Sequence, residues 1–352
     1  MRRDIHALGI AGAALLAGLA ILAVGLGLAG YDPGAALTAL GTGAFGSWNA
    51  FTGVTLVRAT PLILIGLGFA LALRGGALNI GAEGQFYLGA IAATWVGVHA
   101  SGWSAWIALP AVAGAGLAAG AAWIVVPVIL RIRFGVLEAI STLVLNFVAD
   151  ALVSLMVLGP LQEPSGTYPQ SAPIALGARL PMLPGTRLHA GFLVAVLLAL
   201  ALYWVFARTW WGFRLLALGT GPRAAEVSGR VPARRMLATA LLGSAALAGL
   251  AGAFEVSGVS YALYQNLSPG YGFTAIAVAL LARLRPPAII VTGVLFGALE
   301  AGAGAMQRDA GIPAVAVYVV EAVIILVLLL GEVASRRRAM RPMVADVVKG
   351  TP

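Results

Sequence analysis

Long apolar stretches separated by short polar breaks dominate the chain. Ten can be drawn, over 8–30, 53–73, 84–98, 105–130, 136–158, 188–207, 235–256, 271–282, 286–304 and 313–331. Coiled as helices at 1.5 Å per residue, most are long enough to cross a hydrocarbon core of about 30 Å. The pattern predicts an all-α polytopic membrane protein with about ten transmembrane helices. The run from about Leu8 to Gly30 exceeds the apolar core of a signal peptide and reads as the first membrane helix.

Two places break the regularity. One is Leu73-Arg74-Gly75-Gly76-Ala77-Leu78-Asn79-Ile80-Gly81-Ala82-Glu83-Gly84-Gln85. The other is the short eighth segment, preceded by Leu267-Ser268-Pro269-Gly270 and closed by Pro286-Pro287. A dozen helical residues cover roughly 18 Å, too little to span. Interrupted helices at membrane depth are tolerated where protein or a water-filled cavity surrounds them, and transporters place their solute paths there.

Charge then orients the chain. With the N-terminus in the cytoplasm, all 22 Lys and Arg fall on the inner side except Arg58, Arg179, Arg187 and Arg308. This is the asymmetry of the positive-inside rule, and it predicts an even number of spans with both termini cytoplasmic. The same rule accounts for the net charge of +9 without nucleic acid. The expected domains are a transmembrane unit over 1–335, with a cytoplasmic loop at about 208–235, and a basic cytoplasmic tail over 336–352.

Composition narrows the chemistry. The 352 residues are 61% hydrophobic and 10% charged, against about 25% charged in soluble domains. There is no Cys, and His6, His99 and His189 are far apart, so thiolate and histidine metal sites are not expected. The lone lysine, Lys349, follows no glycine-rich loop, so no Walker A motif is present. Glycines crowd several spans, among them Gly9, Gly12 and Gly18, then Gly114, Gly116 and Gly120, then Gly297, Gly302 and Gly304. Small residues let helices approach closely in lipid, which favours a compact bundle.

Candidate functional residues lie at the breaks. Asn79 is a candidate N-cap and Glu83 sits in the first turn that follows, with Gln85 beyond it. Asn146 and Asp150 share a helix face in the fifth span, Asn146 toward the path and Asp150 toward the outer mouth. Tyr271, Phe273 and Thr274 open the short eighth segment, and the Tyr271 and Phe273 rings are candidates for stacking on a base or sugar. Within the loop, Pro222 can start a short helix, Ala224 and Ala225 give it a small-residue face, and Gly229 can end it. Arg223 and Glu226, at i and i+3, can pair. Glu255, Glu300 and Glu321 fall inside late spans and are candidates for ion coupling.

Several of these stretches resemble permease subunits of ATP-binding-cassette (ABC) importers for simple sugars, nucleosides and branched-chain amino acids. Leu78-Asn79-Ile80-Gly81-Ala82-Glu83-Gly84-Gln85 resembles that family's signature. Gly270-Tyr271-Gly272-Phe273-Thr274-Ala275-Ile276-Ala277-Val278-Ala279-Leu280-Leu281 is similar to the nucleoside branch. Leu143-Val144-Leu145-Asn146-Phe147 looks like the fifth-span motif. Thr209-Trp210-Trp211-Gly212-Phe213-Arg214 with Gly219-Thr220-Gly221-Pro222-Arg223-Ala224-Ala225-Glu226-Val227-Ser228-Gly229 looks like the cytoplasmic coupling loop. Gly221 departs from the pattern, where the branch often has Asn.

The resemblance implies a non-enzymatic permease subunit in a bacterial inner membrane, importing nucleosides or a similar small polar solute. A simple sugar or branched-chain amino acid is the alternative solute. No cofactor is implied in this chain, because ATP is bound by a partner ATPase subunit. The other implied partners are a second permease, identical or different, an extracytoplasmic solute-binding protein, and membrane lipid. The residues expected on the path, from their chemistry at the helix breaks, are Asn79, Glu83, Gln85, Asn146, Tyr271, Phe273 and Thr274, and the resemblance implies coupling for Gly219, Pro222, Arg223, Ala224, Ala225, Glu226 and Gly229. An ion-coupled secondary transporter is the reading from another class. A membrane-embedded enzyme ranks last, since no catalytic constellation is visible.

Overall fold

The computed structural model describes residues 16, 18–227, 229, 231–313, 322 and 326. Every named element among them is helical, and β-pairing is limited to three isolated bridges. The helices are α1 (Gly18–Leu28), α2 (Pro33–Phe45), α3 (Trp48–Arg74), α4 (Ala82–His99), α5 (Ala105–Phe134), α6 (Glu138–Leu158), α7 (Gly191–Arg208), α8 (Trp210–Thr220), α9 (Pro222–Val227), α10 (Ala233–Ser260), α11 (Tyr271–Leu281) and α12 (Pro286–Asp309).

Six of these, α3, α5, α6, α7, α10 and α12, are long and apolar enough to cross a membrane. The ten expected crossings therefore reduce to six that length and composition support among the described residues. The expected span at 84–98 is the well-formed helix α4, and the eighth segment is the 11-residue α11. The tenth segment over 313–331 apart from residues 313, 322 and 326, Glu321, the tail over 336–352 and the start of the first span lie outside the described residues. One helix was not anticipated: α2 begins where Asp32 accepts hydrogen bonds from the Gly34 and Ala35 N–H groups, with Pro33 at its first position. Its small-residue composition made it read as part of a connection.

Residues 52–297 form one compact unit, built around α10. Glycines bring α10 against its neighbours closely enough that side chains are excluded. A methyl group at Gly249 would run into the Gly116 carbonyl and the Gly120 backbone of α5. One at Gly252 would strike the Phe86 carbonyl of α4, and one at Gly89 of α4 would strike the Gly249 carbonyl. Without a hydrophobic force between helices in lipid, such close backbone approach supplies the packing energy.

The outward faces are apolar. Phe147 on α6, Leu197 and Trp204 on α7, and Trp106 on α5 are 72%, 63%, 60% and 91% exposed. Apolar side chains on that scale suit a hydrocarbon solvent rather than water. The second unit comprises the described residues of 1–51 and 298–352. Within it, Gly302 packs on Leu40 and Gly43 on Ala305, joining α2 to the end of α12.

The connection over 159–190 is ordered. Ser171 N–H donates to the Leu263 carbonyl at 2.7 Å, Ile174 N–H to Tyr261 at 2.9 Å and Leu180 N–H to Ser257 at 2.8 Å. The Arg179 guanidinium lies 4.6 Å from the Tyr261 ring centre. This connection therefore folds across the end of α10.

Candidate functional site

The glycine-rich break between α3 and α4 is an extended strap, and α6 holds it. Leu78 N–H donates to Glu138 Oε1 at 3.0 Å and Ile80 N–H to Thr142 Oγ1 at 3.3 Å. Asn146 closes the grip from both sides. Its Nδ2 donates to the Ile80 carbonyl at 3.0 Å, and its Oδ1 accepts from Gly84 N–H at 2.8 Å. Glu138, Thr142 and Asn146 are each four residues apart, so they line one face of α6, and all three are buried. A strap without helical bonds must satisfy its N–H and C=O groups elsewhere, and these side chains do it.

Asn79 sits deeper. It is not the N-cap of α4, a position held by Gly81, whose φ is −87°. Its Oδ1 accepts from Gly81 N–H at 3.0 Å, forming a local turn. The Asn79 and Gln85 amides bond each other reciprocally at 2.8 and 3.0 Å, and Asn79 Nδ2 also donates to Ser244 Oγ of α10 at 3.0 Å. Asn preferring a turn to a cap is a choice its short side chain leaves open in sequence.

Glu83 lies in the first turn of α4, as expected, and reaches across to α11. Its Oε2 accepts from Gly272 N–H at 2.6 Å. The N-termini of α4 and the shorter α11 thus converge on one carboxylate, where both dipoles favour negative charge. The loop before α11 is turned by Ser268, whose Oγ accepts from Gly270 N–H at 3.1 Å and Tyr271 N–H at 3.0 Å.

Tyr271 is wholly buried, its ring 5.8 Å from that of Phe86, and its hydroxyl accepts from Arg58 Nη1 at 2.9 Å. Thr274 is buried beside it in sequence, whereas Phe273 is 47% exposed. Asn79, Gln85, Glu83, Asn146 and Tyr271 are therefore gathered around the strap and α4, while Phe273 points away. Asp150 is exposed.

Sequence reasoning missed Glu138, Thr142 and Ser244. The signal was present: polar residues at 138, 142, 146 and 150 recur every fourth position in an otherwise apolar helix. Glu138 also carries an ion pair, 3.1 Å from Arg131 Nε, though that N–H is not aligned for a hydrogen bond.

At the same end as Arg74 lies the expected coupling loop. Thr209 caps α8 by accepting from Gly212 N–H at 3.1 Å. Gly219 sits so close to the carbonyl of Arg74 that no side chain fits there. Helix α9 starts at Pro222 as expected and runs to Val227, with Gly229 beyond it at φ +64°. Its small-residue face divides. Ala225 is buried in a cluster with Leu71, Leu215, Leu218 and Met236, while Arg223, Ala224, Glu226 and Val227 are exposed. Val227 is 88% exposed. Glu226 and Arg131 line a shared cavity of about 240 Å³ with Arg234.

The chain matches known permeases over most of its length. Residues 51–329 match the family described as branched-chain amino acid transport system / permease component. It is 38% identical to a glucose ABC transporter permease protein of Haloferax volcanii, over 92% of this chain and 87% of that one. It is 36% identical to a guanosine ABC transporter permease protein of Bacillus subtilis, over 89% and 90%. It is 32% identical to a nucleoside ABC transporter permease protein of Lactococcus lactis, over 84% and 83%. A helical bundle with an apolar exterior, a polar strap at a helix break and this breadth of likeness lead to one assignment: the chain belongs to the branched-chain amino acid transport system / permease component family of ABC permeases.

Proposed function

We propose that the chain is the permease subunit of an ATP-driven importer of nucleosides, residing in a bacterial inner membrane. Residues 1–335 would form the permease, with about ten crossings, both termini cytoplasmic and a basic tail over 336–352. The basic residues clustered at one side of the sequence topology support this orientation. The proposed partners are an ABC ATPase, a second permease copy or homologue, and an external solute-binding protein. ATP would be hydrolysed by the ATPase, and this chain would perform no covalent chemistry.

The observation that carries the reading is the likeness to guanosine and nucleoside permeases along more than four-fifths of the chain. A glucose importer is the second reading, favoured by the 38% identical relative. The geometry supports a route for energy. Helix α9 is fixed to the body through Ala225, and α8 rests through Gly219 on the carbonyl of Arg74. Residues 75–77 then lead directly into the strap held by Asn146 and Asn79. A push on the exposed side of α9 would reach the strap through packed backbone rather than through flexible side chains. Asn79, Glu83, Gln85, Asn146, Tyr271, Phe273 and Thr274 are the residues we assign to the path or its walls, and Gly219, Pro222, Arg223, Ala224, Ala225, Glu226 and Gly229 those we assign to coupling.

The test is uptake by the complete transporter in proteoliposomes. Labelled guanosine accumulating only with internal ATP, and uncompeted by glucose, is the expected result. Accumulation of glucose with no guanosine uptake would transfer the assignment to sugars. Uptake without any ATPase would end the importer reading altogether.

A further inference from the structure

Glu138, the first residue of α6, uses its two carboxylate oxygens on different partners. Oε1 accepts from Leu78 N–H of the strap at 3.0 Å, and Oε2 lies 3.1 Å from Arg131 Nε in the last turn of α5. The Glu138 side chain is 6% exposed and that of Arg131 33%. Such a pair differs from one on the surface, because removing the cation leaves an uncompensated charge in a buried place. Arg131 thus fixes the carboxylate that fixes the strap. The backbone between them is pinned: Gly135, at φ +71°, ends α5, and the Gly135 and Val136 N–H groups donate to the Arg131 and Leu130 carbonyls at 3.2 Å each. What is left to move is the Arg131 side chain.

That side chain has a second acidic neighbour. Arg131 lines a cavity of about 240 Å³ with Gly75 and Gly76 at the head of the strap, Pro222 and Glu226 of α9, and Arg234 of α10. Glu226 is exposed. One guanidinium therefore shares its surroundings with two carboxylates, a buried one that grips the strap and an exposed one on α9. Water screens Glu226, so Glu138 holds the cation while α9 stands as it does here. A shift of α9 toward the cavity would desolvate Glu226 and set it in competition for the same guanidinium. A cation with two alternative partners has two discrete arrangements, and coupling between separated sites needs an element of that kind.

We propose that Arg131 is a positioning residue for transport: it passes from Glu138 toward Glu226 when the ATPase presses on α9, and so loosens the Glu138 grip on the strap. This role rests on α9 being the face on which the ATPase acts.

The experiment uses the complete transporter in proteoliposomes and measures solute taken up per ATP hydrolysed, with guanosine or glucose, whichever the wild type accumulates. Arg131→Gln should keep ATPase association and hydrolysis yet lower that ratio about fivefold, and Arg131→Lys, which keeps the charge, should recover most of it. Glu226→Gln should lower the ratio similarly, and the double variant should fall no further than either single one, because both act through one contact. Arg133→Gln, which removes an exposed charge from the same helix, should leave the ratio unchanged. A wild-type ratio in Arg131→Gln, a loss that Arg131→Lys does not recover, or losses that add in the double variant would overturn the relay and leave the coupling role of α9 standing. A wild type without ATP-driven uptake would overturn that coupling role and the relay with it. Should Arg131→Gln fail to fold, hydrogen exchange on the wild-type complex decides: faster exchange over residues 75–80 with a non-hydrolysable ATP analogue than without it supports the release, and equal exchange refutes it.

Discussion

Asn146→Ala removes the clasp on the strap and should destabilise the protein well beyond an ordinary surface change. In the native structure the amide bonds Ile80 O and Gly84 N–H at 3.0 and 2.8 Å, and Asn146 is only 6% exposed. Neither main-chain group is paired within α4: Ile80 lies in the strap before it, and Gly84 is in its first turn, ahead of the first ladder bond from Gln85 N–H to the Gly81 carbonyl. Leaving a buried donor or acceptor unsatisfied costs about 1–3 kcal/mol each, so an upper figure is roughly 6 kcal/mol for the two. Interhelical side-chain hydrogen bonds in membranes average nearer 0.6 kcal/mol, because the membrane-inserted unfolded chain finds other partners. The native penalty dominates here, since the partners are backbone groups fixed at the junction of the strap and α4, and we expect a loss of about 2–4 kcal/mol. Reversible unfolding in mixed detergent–SDS micelles, followed by circular dichroism, measures it. Val148→Ala, on the exposed side of the same helix, serves as the reference and should cost less than about 1 kcal/mol. An Asn146→Ala variant within about 0.5 kcal/mol of wild type would refute the clasp.

Four further outcomes follow from the geometry. Gly249→Leu should abolish assembly of the bundle, seen as loss of a monodisperse peak in detergent, because its side chain would enter the α5 backbone at Gly116 and Gly120. Val227→Glu should lower solute-stimulated ATPase activity of the complete transporter at least about tenfold with normal melting behaviour, as expected when a charge enters the centre of a docked apolar contact; Ala225→Trp should instead disturb folding of the loop itself, since Ala225 is buried. In the connection over 159–190, hydrogen bonds from the Gln170 amide, the Ser165 hydroxyl and the Tyr168 and Thr167 N–H groups hold the Glu163 carboxyl below its usual range. A lowered native value stabilises the loop above the unfolded pKa of about 4.3 and is lost as pH falls through the lower native one. Exchange protection of the Tyr168 amide should therefore persist at pH 5 and fade toward pH 3, and Glu163→Gln should erase that step; an unchanged step in the variant would contradict the assignment.

Much of the bundle was legible because lipid imposes long apolar runs, and runs such as 136–158 and 235–256 map onto α6 and α10 with small shifts at their ends. Helix α2 was not, since a 13-residue stretch of Ala, Gly, Leu and Thr carries no clear period and reads as a connection. The strap was legible as a break, through its glycines and Asn79. Its means of support was not: Glu138 and Thr142 meet residues about 60 positions away, and only a folded chain reveals which backbone groups they satisfy. Likewise Pro222 announced the start of α9, but which side faces inward depends on Leu71, Leu215 and Met236, which arrive from three other elements. Thus Ala225, anticipated on a small-residue face, packs into the chain's own body, and Arg223, Ala224, Glu226 and Val227 are the residues of α9 left exposed.

The central claim is that α9 is the face on which the ATPase acts, and the absence of any native cysteine allows a direct measurement. Single cysteines at Val227 and at Ala225 can be tested for cross-linking to the ATPase in inverted membrane vesicles carrying the complete transporter. The account predicts a cross-link from Val227→Cys that changes yield with ATP, and little or none from Ala225→Cys. Labelling of Val227→Cys by an impermeant thiol reagent from the periplasmic side, or a cross-link to the solute-binding protein in place of the ATPase, would contradict it.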